Sequence, residues 1–223
     1  MLTIRDRILA LSEPAYGDFQ RRLLPELPPE SILGVRTPAL RALARELKPA
    51  QAAQFLTALP HGCFEENQLH AFLLARERDP AACLAAVEAF LPYVDNWATC
   101  DQLSPPALGK RPEALMERIP VWLKSGHVYT VRFGLGMLQR WFLDDAFAPR
   151  FLDWAGQDLG EAYYVRMMQA WFFATALAKQ PQAAEIWFQP GRLEEWTRHK
   201  AIQKSIDSRR IPEETKQRLR ALR

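Results

Sequence analysis

The sequence is poor in the residues that build metal sites and disulfide frameworks. Its 223 residues include only three cysteines and four histidines. No C-x-x-C or H-x-x-x-H spacing occurs among them, which excludes the usual zinc sites and predicts that no metal is bound. No apolar run approaches the roughly 18 residues that a membrane-spanning helix needs. The N-terminal segment is too charged for a secretory signal, so we expect a cytoplasmic protein with no membrane partner.

The common motifs of nucleotide and acyl chemistry are also missing. The sequence has neither a P-loop nor a G-x-S-x-G turn, which excludes the most frequent phosphotransfer and hydrolase classes. Gly134 and Gly136 form a G-x-G, but Gln139 occupies the place of the third glycine and no strand precedes them. A dinucleotide site is therefore excluded, and we expect no cofactor.

Helical periodicity runs through almost the whole chain. Apolar residues recur at i, i+3, i+4 and i+7 between breakers, while β-branched runs are rare, and this pattern predicts an all-α fold. Prolines mark the expected helix starts, where a missing N–H costs nothing. These prolines are Pro14, Pro49, Pro80, Pro112, Pro149, Pro181 and Pro212.

An internal repeat indicates how the helices are arranged. The pattern Y-x-V-R begins at Tyr129 and again at Tyr163, an offset of 34 residues, and each copy is followed by a break and a second amphipathic helix. Such an offset is typical of an α-solenoid of HEAT-like or TPR-like helix pairs, whose stacking creates a concave surface. The sequence thus predicts a single HEAT-like repeat domain over residues 1–223, with a monomer as the default. A compact helical bundle fits the periodicity equally well.

The net charge of +3 conceals an uneven distribution. Residues 192–223 contain ten Lys or Arg against five Asp or Glu, so the positive charge is concentrated at the C-terminal end. This imbalance favours a polyanionic partner such as nucleic acid. The alternative is a solvated basic tail that binds nothing.

The stretch "DNWATCD", residues 95–101, combines a helix cap with two residues of chemical interest. Asp95 or Asn96 can cap a helix through a side-chain oxygen. Trp97 and Asp101 then stand four positions apart, which places an indole and a carboxylate on one helix face. The alternatives are a core tryptophan and a solvated aspartate.

Two arginines occur inside strongly apolar helices. Arg132 and Arg166 are the arginines of the two Y-x-V-R copies, and each must reach a carboxylate, a phosphate or solvent. An intramolecular salt bridge is as good an explanation as a functional role. Trp171 follows five residues after Arg166 in the same predicted helix, where packing is the alternative to a ligand contact.

Four segments together resemble the AlkD-like DNA alkylation repair family of HEAT-repeat DNA glycosylases. They are "ILGVRTPALRALAREL", "NWATCD", "YTVRFGLGML" and "YYVRMMQAW", which occur in the family's order and span most of the chain. The resemblance implies that Asp101 is the catalytic carboxylate and that Trp97 and Trp171 are aromatic walls of the lesion site. It implies that Arg132 is a phosphate-facing cation.

The resemblance also implies a substrate and a binding surface. The substrate is double-stranded DNA that carries cationic N3- or N7-alkylated purines, whose N-glycosidic bond is hydrolysed without a metal. The binding surface is a concave, basic cleft. The cations expected to contact DNA are Arg166, Arg198, Lys200, Lys204, Arg209 and Arg210.

The chain departs from the family pattern in two places. Asn96 precedes the tryptophan where active relatives carry another aromatic residue. The tyrosine that relatives direct into the cleft has no clear counterpart, because the spacing between Tyr16 and Gly34 does not fit. A non-catalytic HEAT-repeat protein that binds branched or damaged DNA is therefore the alternative function, and a protein-binding solenoid is the third.

Overall fold

The computed structural model describes residues 2–222, and within them the chain is helical without strands. The predicted all-α fold is confirmed. The helices form two compact units, one ending at Arg111 and the other beginning at Pro112. The predicted domain ends, residues 1 and 223, lie outside the described residues. A single HEAT-like repeat domain and a concave cleft stay predictions.

The first unit is built around one fully buried helix. Its helices are α1 (Ile4–Leu9), α2 (Pro14–Leu23), α3 (Thr37–Glu46), α4 (Pro49–Thr57), α5 (Phe64–Leu74), α6 (Pro80–Phe90) and α7 (Trp97–Gln102). Every residue of α5 is buried, and α1, α3, α4, α6 and α7 all pack against it. A central helix of this kind has no polar face, so its polar side chains must be hydrogen-bonded inside the protein.

The second unit is also built around one helix, which is longer but is buried along only part of its length. Its helices are α8 (Pro112–Leu123), α9 (Val128–Trp141), α10 (Arg150–Gly156), α11 (Tyr163–Lys179), α12 (Pro181–Ala184), α13 (Glu195–Asp207) and α14 (Glu213–Ala221). Helix α11 packs against α9 and α13, while α8 covers α9 and α14 covers α13. The two Y-x-V-R copies thus begin neighbouring helices, α9 and α11.

The prolines stand where the sequence predicts helix starts. Five of them are the first residue of a helix, namely Pro14, Pro49, Pro80, Pro112 and Pro181. Pro149 and Pro212 directly precede α10 and α14. Across residues 2–222, no helix is both long enough and apolar enough to cross a membrane.

A buried carboxylate holds the loop that precedes α3. Glu65, on α5, is fully buried and accepts N–H bonds from Leu33 at 3.0 Å, Gly34 at 2.7 Å and Val35 at 3.2 Å. Gly34 has φ +85°, and a Cβ there would lie 2.6 Å from the backbone nitrogen of Gly17. The Gly34 carbonyl also accepts the Glu13 N–H at 2.9 Å. Because no side chain fits at Gly34, this loop packs directly on the first turns of α2.

Two histidines form a hydrogen-bonded pair in the core of the first unit. His61 Nε2 and His70 Nδ1 are 2.8 Å apart, and the rings stack on Phe55 and Phe90 respectively. Burial lowers the pKa of His61, and burial together with the neighbouring His61 lowers the pKa of His70 to about 3. Both histidines are therefore neutral in the folded protein at pH 7.

We expect acid to destabilise the protein through this pair. Below the usual histidine pKa of about 6.5, the histidines are protonated in the unfolded chain but stay neutral in the folded protein. The free energy of unfolding therefore falls as the pH drops from about 6.5 toward the pKa of the folded protein. His70 alone should remove about 2 kcal/mol of unfolding free energy between pH 7 and pH 5. Urea unfolding at the two pH values measures this loss. A His61→Asn/His70→Asn variant should show a flatter dependence, and equal urea midpoints for the wild type would contradict the prediction.

The three cysteines are free and buried. Cys83 is completely inaccessible, and Cys63 and Cys100 are each only 3% exposed. Burial raises the pKa of Cys63 to about 12 and that of Cys83 to about 11. These two thiols therefore stay protonated at physiological pH.

Candidate functional site

Helix α7 begins at a cap that fixes the direction of the Trp97 and Asp101 side chains. Asn96 is fully buried, and its Oδ1 accepts the Thr99 N–H at 2.8 Å. Its Nδ2 donates to the side-chain oxygens of Asp95 at 2.8 Å and Thr99 at 3.1 Å. The predicted cap is thus confirmed for Asn96. Its side chain is fully used in this role.

Trp97 and Asp101 line the same pocket, which has a volume of about 220 Å³. We call it the aromatic pocket. It is lined by Tyr16, Gln20, Leu23, Leu24, Thr37, Phe64, Gln68, Trp97, Ala98, Asp101 and Gln102. Because Trp97 and Asp101 are four residues apart on α7, their side chains line one pocket. Residues of α2 line the same pocket.

The Trp97 indole is held firmly in the pocket wall. Its Nε1 donates to the Leu23 carbonyl of α2 at 3.2 Å. One part of the ring packs on a buried cluster that includes Leu24 and Phe64. The sequence leaves open whether Trp97 packs in the core or lines a site, and in the structure its side chain does both.

Tyr16 also lines the aromatic pocket, contrary to the expectation from its spacing to Gly34. The Arg36 guanidinium lies 4.7 Å from the centre of the tyrosine ring. The contact between the Gly34 loop and Gly17 brings the start of α2 beside α3, so proximity in space does not follow the distance in sequence. The helical spacing of Tyr16, Gln20 and Leu23 in α2 is the signal that could have placed Tyr16 on the pocket face.

A chain of amide side chains forms the polar side of the aromatic pocket. Gln102 Nε2 donates to Gln68 Oε1 at 2.7 Å, and Gln68 Nε2 lies 3.4 Å from the Thr99 hydroxyl. Arg41 donates to Gln102 Oε1 at 3.1 Å. These bonds orient Gln102 next to Asp101, so the polar wall is ordered before any ligand arrives.

The second unit contains a wider cavity, of about 600 Å³, which we call the basic groove. It is lined by Gln139, Trp171, Ala174, Thr175, Ala178, Lys204, Asp207, Ser208, Arg209 and Arg210. Trp171 is 44% exposed, unusually high for a tryptophan on a central helix. The structure thus brings four predicted residues together here: Trp171, Lys204, Arg209 and Arg210.

Lys204 is a partly buried cation of the basic groove. Burial lowers its pKa, and the Arg132 guanidinium and the Lys200 ammonium lower it further. Asp207 acts in the opposite direction. Lys200 itself is exposed, and its ammonium lies 5.5 Å from the centre of the Trp196 ring.

Arg132 is buried in the second unit. It is only 6% exposed, and its Nη1 donates to the Tyr164 carbonyl of α11 at 2.7 Å. Arg132 is not among the residues that line the basic groove, although its positive charge lowers the pKa of Lys204. Its predicted contact with phosphate stays a prediction.

Two other predicted DNA contacts are engaged within the protein. Arg198 is 3% exposed, and it donates to both carboxylate oxygens of Glu195 and to the Phe188 and Leu222 carbonyls. It ties α13 to the end of α14, so a phosphate contact would require these bonds to break. Arg166 lies 3.7 Å from both Glu161 and Glu194, in a separate cavity of the second unit. This pairing matches the intramolecular salt bridge that the sequence leaves open.

An all-helical chain with an aromatic, carboxylate-bearing pocket and a basic groove has the features of a protein that acts on nucleic acid. Comparison with known families defines the protein further. The chain belongs to the family described as DNA alkylation repair enzyme, whose sequence model matches residues 4–204. The resemblance seen in the sequence is thereby confirmed, and DNA is the substrate that membership implies.

The family match covers the whole aromatic pocket but only part of the basic groove. It ends at Lys204, so Arg209 and Arg210 lie beyond it. A search of curated proteins finds no significant match. Among residues 2–222, no group of three or more His, Cys, Asp or Glu is arranged to hold a metal ion.

Proposed function

We propose that this chain is a DNA glycosylase of base excision repair that hydrolyses the N-glycosidic bond of cationic N3- or N7-alkylated purines. The observation that carries the proposal is the aromatic pocket, in which Asp101 lies with Trp97 and Tyr16 inside the region matched by the family. The proposal assigns excision to these three residues and phosphate binding to the basic groove.

The main requirement of this reaction is electrostatic stabilisation of the cationic sugar. An N3- or N7-alkylated purine is already positively charged, so it departs as a neutral base without a general acid. The sugar that remains develops oxocarbenium character, which a carboxylate close to C1′ stabilises. In the proposal, Asp101 supplies this carboxylate and orients the water that adds to C1′.

The aromatic residues complement the charge of the lesion. Tryptophan and tyrosine faces attract a nearby cation by about 0.5–2 kcal/mol, which favours the alkylated base over a neutral one. Trp97 cannot swing away without losing its bond to the Leu23 carbonyl. A wall fixed in this way costs little entropy on binding and supports selection by charge. The resemblance assigns Trp171 a similar role, and in this structure it lines the basic groove.

The basic groove supplies the phosphate contacts in this proposal. Arg209 and Arg210 are exposed, and within residues 2–222 neither side chain forms an ion pair. Other arginines of the basic C-terminal region pair with carboxylates, as Arg218 does with Glu185 and Arg220 with Glu213. In this proposal the partner is double-stranded DNA, which is bound through its backbone. We also propose that the protein is a HEAT-repeat monomer and that it acts in the cytoplasm.

The direct test is release of modified bases from methylated duplex DNA. Wild-type protein should liberate 7-methylguanine and 3-methyladenine, detected by chromatography, and leave abasic sites at those positions. Unmethylated duplex provides the background. No release under conditions in which the protein binds the same duplex would overturn the proposal.

One observation favours a second candidate, a DNA-binding protein of the same family without excision activity. Asn96 stands where active relatives carry an aromatic residue, and its buried side chain is committed to capping α7. The pocket therefore has one aromatic wall fewer than the family pattern implies. Tight binding to branched or damaged duplexes with no base release is the expected behaviour of this candidate.

Phosphate contacts by the basic groove predict a specific salt dependence. Each phosphate contact that is lost should reduce the slope of log K against log salt by about 1. We expect Arg209→Ala/Arg210→Ala to make the slope shallower by about 2, because both guanidinium groups are exposed. Fluorescence anisotropy with a labelled duplex over a range of salt concentrations measures the slope.

Arg218→Ala is the matched control for the salt experiment. Its guanidinium donates to Glu185 at 2.8 Å and Glu214 at 3.0 Å, outside the basic groove. Its removal should leave the slope unchanged. If the double variant kept the wild-type slope, Arg209 and Arg210 would not contact phosphate.

A further inference from the structure

A row of aromatic rings lies at the surface of the second unit, outside the cavities described above. Tyr163 and Tyr164 begin α11, and Trp196 is the second residue of α13. The ring centres of Tyr163 and Tyr164 are 5.1 Å apart, and those of Tyr163 and Trp196 are 5.7 Å apart. From Tyr164 the row continues to the buried Tyr129, whose ring centre is 5.9 Å away. We call Tyr163, Tyr164 and Trp196 the aromatic platform.

The aromatic platform leaves ring surface open to solvent. Tyr163 is 56% exposed, compared with 44% for Trp171 in the basic groove. Tyr164 and Trp196 are half-buried. Tyrosine and tryptophan are enriched where proteins bind partners, because each supplies a large, rigid contact area with a polar end. Three such rings in one exposed row are therefore typical of a binding surface.

Hydrogen bonds in the first turns of two helices hold the aromatic platform in place. The Trp196 N–H donates to the Glu194 side chain, the cap of α13, at 3.0 Å. The Tyr164 carbonyl accepts a bond from Arg132 Nη1 at 2.7 Å. Because the backbone of both turns is fixed, the rings need little reordering when a ligand stacks on them.

A lysine supplies positive charge at the edge of the aromatic platform. Lys200 is exposed, and its Nζ lies 5.5 Å from the centre of the Trp196 ring. The two carboxylates next to Trp196 in the sequence are engaged within the protein, since Glu194 caps α13 and Glu195 pairs with Arg198. An aromatic surface beside an available lysine suits a nucleotide, which offers a flat base and a phosphate.

The aromatic platform and the basic groove occupy the same faces of α11 and α13. Tyr164 and Trp171 are seven residues apart on α11, which is almost two helical turns. Lys200 and Asp207 have the same spacing on α13. Trp171 and Asp207 both line the groove, so the platform lies about 10 Å from it along the helices. This distance corresponds to about three base steps along one DNA strand.

We propose that the aromatic platform binds an unpaired nucleobase of DNA by stacking, while Lys200 contacts the adjoining phosphate. The ligand class is duplex DNA with an unpaired or extruded base, because the bases of an intact duplex are already stacked on one another. Every base has an aromatic face, so recognition of this kind does not depend on sequence. The inference rests on the proposed function only in that the basic groove holds the DNA backbone. It does not require base excision.

The test compares two duplexes without alkylated bases that differ only at one bulged position. One carries an unpaired adenine and the other a tetrahydrofuran abasic analogue, so both are interrupted at the same place but only one has a base to stack. Fluorescence anisotropy should show that the wild type binds the adenine bulge about 10-fold more tightly. Tyr163→Ala/Trp196→Ala should reduce this ratio to about 1, while Tyr163→Phe, which keeps the ring, should retain it. Tyr93→Ala, which removes an exposed tyrosine of the first unit, is the matched control.

Photocrosslinking of the wild type decides the case even if the double variant folds poorly. A duplex with a bulged 5-iodouracil is irradiated in complex with the protein, and peptide mapping identifies the linked residue. A link to Tyr163, Tyr164 or Trp196 supports the proposal. The absence of such a link, or equal affinity of the wild type for the two bulges, overturns it. Because the duplexes contain no alkylated base, failure of the proposed function and failure of this inference are distinguishable.

Discussion

Asp101→Asn should lower the rate of base excision by at least about 100-fold while DNA affinity stays close to that of the wild type. Asparagine has the shape of aspartate but no charge. The substitution therefore removes the stabilisation of the cationic sugar and leaves the pocket walls, Trp97 and Tyr16, in place. Because the basic groove lies in the second unit, its phosphate contacts are unaffected.

Single-turnover kinetics with the protein in excess is the right measurement, because it separates the chemical step from product release. Release of 7-methylguanine from a methylated duplex gives the rate constant, and anisotropy gives the affinity. Asp95→Asn is the matched control, since Asp95 is an exposed aspartate in the same segment that does not line the pocket. A wild-type rate for Asp101→Asn would remove this carboxylate from the mechanism.

Glu65→Ala should reduce the free energy of unfolding by about 3 kcal/mol, which corresponds to a fall of about 6–12 °C in Tm. Glu65 is fully buried and accepts three backbone N–H groups from the loop before α3. Alanine leaves all three donors without an acceptor in a region that water does not reach. The effect should extend to function, because this loop packs against the turn of α2 that carries Tyr16.

Thermal and urea unfolding measure the loss at Glu65. Glu65→Gln retains one acceptor oxygen and should lie between alanine and wild type. Glu30→Ala is the control, because Glu30 is an exposed glutamate a few residues before the same loop. A Tm for Glu65→Ala within about 1 °C of the Glu30→Ala value would show that the three bonds contribute little.

Local patterns in the sequence predicted those features of the structure that depend on neighbours along the chain. The all-α fold, the helix starts at prolines and the cap at Asn96 are of this kind. So is the shared face of Trp97 and Asp101, because an i,i+4 pair on a capped helix needs no knowledge of the rest of the fold.

Features that depend on long-range packing were not predictable in the same way. Tyr16 enters the aromatic pocket because Gly34 packs on Gly17, a contact that sequence spacing cannot show. The role of Glu65 is hidden because α5 is buried on every face and has no amphipathic pattern to interpret. For Arg198, by contrast, Glu195 stands three residues earlier on the same helix, so its ion pair could have been inferred locally.

The buried cysteines bear on how the protein withstands the conditions in which alkylation repair is needed. Agents that methylate DNA also methylate protein nucleophiles, and a thiolate is the most reactive of these in an ordinary protein. Cys63 and Cys83 are kept protonated, and Cys100 is shielded by packing. The three thiols of the chain are therefore poor targets for such agents.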